Sequence, residues 1–88
     1  MQIDDIFEIA NGINNSLLML NEKSINNRNI KKCLTIGLQL PIEELQQIDR
    51  DFYVMQNGKS EGFTASEEIR VKIMGIDFVI IPEEEEET

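Results

Sequence analysis

Histidine and tryptophan are absent from this chain of 88 residues, and cysteine occurs once. Without histidine there is no imidazole base, no proton acceptor for a Cys/His couple and no imidazole metal ligand. The lone thiol, Cys33, cannot close an internal disulfide. No apolar run approaches the roughly 20 residues that cross a bilayer. The N-terminus carries no basic stretch followed by an apolar core and a small-residue cleavage site, so a reducing, cytoplasmic setting without membrane is expected. Aromatic residues are few, Phe7, Phe52, Phe63, Phe78 and Tyr53, and fourteen isoleucines carry most of the core volume instead.

Positive charge is also scarce. Eight basic residues face seventeen acidic ones, for a net charge of −9. The imbalance is polarised: residues 1–22 carry −4, 23–32 carry +4, 33–58 carry −3, 59–72 are neutral and 73–88 carry −6. A field of this sign repels nucleic acid and anionic lipid over about a Debye length, about 8–10 Å at ordinary salt. Basic proteins are the partners it attracts. The length suits one small α+β domain over 1–82, followed by a disordered acidic tail over 83–88.

Along the chain, Ile3, Ile6, Phe7, Ala10, Ile13, Leu17 and Leu20 recur at helical spacing, with Asp4, Asp5 and Glu8 in the first turns where the helix dipole favours anions. Residues 30–40 fit two patterns. Ile30, Cys33, Leu34, Gly37 and Leu38 make a helical stripe, whereas Leu34, Ile36, Leu38 and Leu40 alternate as in a strand. The earlier start of the helical match, preceded by Asn29, favours a helix with Cys33 buried on its apolar side. Pro41 reads as the first residue of the next helix, with Glu43 and Glu44 in its first turn, Ile42, Leu45, Ile48, Phe52 and Met55 along one side, and Asn57-Gly58 closing it. The polar segment from Lys59 to Ser66 reads as the most mobile part.

The last element carries a register argument. Ile69, Val71 and Ile73 are apolar at odd positions, but beyond Gly75 the apolar set moves to Ile76, Phe78 and Ile80. A single flat strand cannot put both sets on one face, because its side chains alternate. A hairpin with Met74-Gly75 as its turn pairs Ile73 with Ile76, Val71 with Phe78, Ile69 with Ile80, and Lys72 with Asp77. A turn one residue later, or a bulge in one long strand, also preserves the apolar face. Val79 and Ile81 are left on the outer side, and Pro82 is expected to stop the ladder. The predicted architecture is therefore two or three helices followed by a C-terminal β-hairpin.

No constellation in the sequence carries catalysis. Gly58-Lys59-Ser60 lacks the earlier glycine of a phosphate-binding loop and follows a helix where a strand is needed. The carboxylates fall at helix starts, on polar faces and in the tail, as solvated surface does. The one basic cluster, Lys23, Arg28, Lys31 and Lys32, has no neighbouring aromatic for base stacking. It serves as a counter-field to the acidic segments, with a second reading in which Arg28, Lys31 and Lys32 hold an anionic nucleotide. Small acidic chains of this kind resemble phage-encoded or immunity-type inhibitors in general character, although no motif ties this one to a family.

The sequence thus predicts a non-enzymatic protein, without metal or cofactor, that inhibits or adapts a basic protein, nucleic-acid-handling proteins being one such class, while making no direct nucleic-acid contact. Glu43, Glu44, Asp49 and Asp51 on one helix face, with Glu83, Glu84 and Glu85 of the tail, would steer association, and Val79 and Ile81 would anchor it. The alternative is a homo-oligomeric assembly component pairing through the hairpin edge.

Overall fold

A computed structural model describes residues 1–22 and 33–84, apart from the side chains of residues 21 and 22. The chain is α+β: helix α1 (Ile3–Glu22), strand β1 (Thr35–Leu40), helix α2 (Ile42–Asn57), and strands β2 (Ile69–Ile73) and β3 (Ile76–Pro82). The strands form one sheet in the order β1-β3-β2, with β3 central, parallel to β1 and antiparallel to β2.

Residues 35–40 are a strand, which corrects the helical expectation for that stretch. Both patterns were present locally. The deciding factor is a neighbour far away in sequence: Ile36, Leu38 and Leu40 lie level with Phe78, Ile80 and Pro82, so the alternating set joins the same inward face. Cys33, which precedes the strand, is exposed rather than buried. Residues 30–32 fall outside the described region, as does most of the acidic tail.

The hairpin follows the register read from the shift of parity. Ile73 pairs with Ile76, Val71 with Phe78, Ile69 with Ile80 and Lys72 with Asp77. Met74 and Gly75 form the turn at φ 52° and 81°, and two consecutive positive φ values match the right-handed twist of the flanking strands. Pro82 does not stop the ladder, because it pairs level with Leu40 and the Glu83 N–H donates to Leu40 O at 2.8 Å. Successive N–H groups point to opposite sides of a strand. With that of Glu83 aimed at β1, the side of Pro82 that lacks a donor faces past the start of β2, where no acceptor waits.

The two described helices cover the inward face of the sheet. Ile6 and Ala10 of α1, Leu45 and Ile48 of α2, and Ile76, Phe78 and Ile80 of β3 are at most 1% exposed. Phe7 meets Phe52 edge-on, with centroids 6.3 Å apart. The start of α1 is closed by Asp5, whose carboxylate accepts the Gln2 N–H at 2.7 Å, half of a capping box. Pro41 caps α2 rather than opening it, and its carbonyl accepts from Leu45 N–H at 3.0 Å. Gly58, left-handed at φ 77°, closes the helix with a 2.7 Å bond to Val54 O. Ile42 and Met55, at the two ends of the expected apolar stripe, are exposed.

The turn yields a prediction. A non-glycine residue at positive φ costs about 1–2 kcal/mol, and Asn tolerates it better than Met. Met74→Asn is expected to stabilise the chain by about 0.5–1 kcal/mol, read as a rise in Tm of about 3–6 °C.

Candidate interaction surface

The helical layer brings together what the sequence scatters. Asp4 and Asp5 lie in the first turn of α1, and Glu43 and Glu44 in the first turn of α2. The two starts are joined directly: the Met1 α-amino group donates to Glu44 Oε1. That hydrogen bond holds the amine above its usual pKa, with smaller support from the charges of Glu44 and Asp5 and against a desolvation cost. Between the helices lies a groove of about 600 Å³ lined by Met1, Ile3, Asp4, Asp51, Val54 and Met55, with Gln2, Gln47 and Arg50 completing it. Its floor is apolar and adaptable, since methionine fills irregular contacts easily. Met55 is 62% exposed and so offers apolar surface to a partner.

The acidic residues proposed from sequence divide between distinct roles. Glu43 is exposed, and Glu44 pairs with Met1. Asp51 accepts from the Gln47 amide at 3.1 Å and lines the groove. Asp49 points elsewhere and accepts the Ser66 N–H at 2.8 Å. The expectation of a single acidic helix face is therefore corrected. Residues two apart on a helix are about 200° apart around its axis, so Asp49 and Asp51 cannot share a side. Val79 and Ile81 lie on the outer sheet face, opposite the helices, and are half-buried. Arg70 and Gly37 flank Val79 there, and Lys72 reaches Asp77 at 3.8 Å. Glu83 and Glu84 are exposed at the end of β3. Glu85, Arg28, Lys31 and Lys32 lie outside the described residues. The edge of β3 that the hairpin alone would leave open is occupied by β1.

Asp49 belongs to a second arrangement that the sequence concealed. Because β2 is antiparallel to β1, it begins at the end of the sheet where β1 finishes, which is also where α2 begins. The chain leaving α2 must therefore travel back along the helix, about 24 Å, using residues 58–68, whose extended reach is about 36 Å. The contacts follow that path in reverse helix order. The Tyr53 hydroxyl donates to Glu61 O at 2.8 Å, Phe63 packs edge-on against Tyr53 and lies beneath the Arg50 guanidinium at 5.5 Å, and Ser66 reaches Asp49. The segment that the sequence marks as most mobile is thus a strap fastened at several points. The one legible signal was Phe63, an aromatic residue in an otherwise polar stretch. Gly62 permits the crossing: its φ is 81°, and a Cβ there would sit 3.1 Å from the Tyr53 hydroxyl oxygen.

Among the described residues, no group of three or more His, Cys, Asp or Glu is placed to hold a metal ion, and no helix is long and apolar enough to cross a membrane. No polar or charged residue in the described region is buried. No protein-family model, curated protein or solved structure matches this chain.

The strap gives two predictions. Gly62→Ala is expected to destabilise the chain by about 1–2 kcal/mol through positive φ and crowding against Tyr53, read by urea denaturation. Tyr53→Phe removes one hydrogen bond and is expected to cost about 0.5–1.5 kcal/mol. It should also speed amide exchange in residues 59–66 while leaving that of β3 unchanged.

Proposed function

We propose that the chain is a non-enzymatic binding protein that inhibits or adapts a basic partner, engaging it through the helical layer. The observation that carries this reading is the groove between α1 and α2, where an apolar floor of Ile3, Val54 and Met55 lies between the carboxylates of Asp4 and Asp51. Glu8 and Glu43 stand exposed on the same two helices. An apolar anchor fixes affinity, and surrounding carboxylates set encounter rate and orientation. The fitting partner presents a Leu- or Met-sized side chain flanked by Lys or Arg.

The groove redistributes the roles first assigned from sequence. Glu43, Glu44 and Asp51 act beside Asp4 in steering. Asp49 serves the strap. Val79 and Ile81 lie on the far side of the sheet and take no part in this groove. Carboxylates that stand in for phosphates at a nucleic-acid-binding groove are consistent with a partner that handles nucleic acid, and with the net charge of −9. Steering of this kind weakens with salt, because exposed charges are screened over about 8 Å at physiological ionic strength.

The test is affinity capture from a bacterial lysate with the wild-type chain and with an Asp4→Lys/Asp51→Lys variant, eluted in a salt ramp. A basic protein retained by wild type, released at moderate salt and retained at least tenfold less by the variant is the expected result. Equal retention by both chains, insensitive to salt, would refute the reading.

A further inference from the structure

The sheet has two outer edges, and they are protected unequally. In the parallel pair of β1 with β3, the Glu83 N–H donates to Leu40 O. This fixes the even-numbered residues of β1 as those bonded to β3, so Thr35, Gly37 and Gln39 turn their N–H and C=O groups to the outer side. By the same alternation, Arg70 and Lys72 carry the outward groups of β2. That edge is guarded by two cations, and beside it Asp49, Tyr53 and Ser66 line a groove of about 280 Å³. Among the described residues the edge of β1 has no such device. Its outward residues are uncharged, and the strand holds neither a charge nor a proline. Natural edge strands are usually blunted by one or the other.

The inward side of β1 is also incompletely covered. Ile36 and Leu38 are half-buried, whereas Phe78 and Ile80, level with them on β3, are 1% and 0% exposed. Apolar surface therefore remains beside a row of hydrogen-bonding groups that is unpaired among the described residues. An added strand would answer both.

We propose that β1 pairs with β1 of a second copy of this chain, antiparallel, joining two three-stranded sheets into one of six strands. Three observations select a second copy. An antiparallel pairing of a strand with itself closes by a two-fold axis. Centred on Gly37, it places Thr35 opposite Gln39 of the other copy and Gly37 opposite Gly37. These are the residues whose backbone groups point outward, and they supply about six inter-chain hydrogen bonds. The same register sets Ile36 opposite Leu38 of the other copy at the close spacing of non-hydrogen-bonded pairs, covering the half-exposed apolar surface on the helix side. Finally, the seam contains no charge, so two copies of a protein carrying −9 each meet where like charges do not face one another.

The remaining repulsion between the two bodies is long-ranged and screened by salt, so dimerisation strengthens as ionic strength rises. Binding of a basic partner weakens over the same range. Failure of one account therefore leaves the other standing.

Gly37 is the site for the test. A Cβ there meets nothing within 4 Å, and its φ is not in the left-handed region, so a side chain can be added without disturbing the monomer. Gly37→Lys places two ammonium groups directly opposite each other across the two-fold. Gly37→Pro removes an outward donor that the sheet does not use. Sedimentation equilibrium of the full chain, from about 1 µM to 1 mM and at two salt concentrations, is expected to give a wild-type mass of twice 10.1 kDa. Both Gly37 variants should fall to the monomer mass, with dimer affinity weakened at least tenfold and the circular dichroism unchanged. Arg70→Pro, on the guarded edge, should leave the dimer intact. A wild-type chain that stays monomeric throughout, or a dimer that survives Gly37→Lys, would overturn the proposal.

Discussion

Strand β3 is the constraint on which the rest of the molecule depends. It is paired on both sides, and its inward residues Ile76, Phe78 and Ile80 are the most fully buried run in the chain. Each such side chain contributes about 1.5–3 kcal/mol on leaving water. Their sum is comparable with the entire net stability of a small domain, about 5–15 kcal/mol. The two helices are held against this strand and its neighbours, and the groove between α1 and α2 exists because both helices must cover the same narrow sheet. An 88-residue chain has no second core with which to place them otherwise.

The direction of β2 has a further consequence. Because it starts level with the end of β1, the connection from α2 cannot be a short turn and must retrace the helix. Asp49 and Tyr53 are consequently committed to holding residues 61–66, while Arg50 both covers Phe63 and lines the groove. This leaves Asp51, Val54 and Met55 on the side that faces α1. One helix thus serves two purposes on two sides, and the topology decides which residues go to which. The net charge sets what the molecule attracts, but the strap determines where the available carboxylates stand.

How much of this was legible follows from the range of the interactions involved. The hairpin was readable because its signal is local: the apolar parity changes across Met74-Gly75, and a reversal there puts both sets on one face. The helices were readable from their spacing and from the left-handed close at Gly58. Strand β1 was not, since Ile36, Leu38 and Leu40 satisfy either period, and the choice rests on Phe78 and Ile80 some forty residues away. The division between Asp49 and Asp51 could have been foreseen from helical geometry, but the groove formed by Met1, Asp4 and Met55 could not, because no local pattern announces how two helices pack.

The two proposed surfaces lie on different layers, the groove among the helices and the edge of β1 in the sheet. Whether a basic partner binds in the groove is decided by amide chemical-shift mapping with a short peptide of lysines around a single leucine. The account predicts shifts concentrated in residues 3–8 and 47–55 and reduced by added salt. Shifts confined to residues 70–81 on the sheet, or none at any peptide concentration, would contradict it.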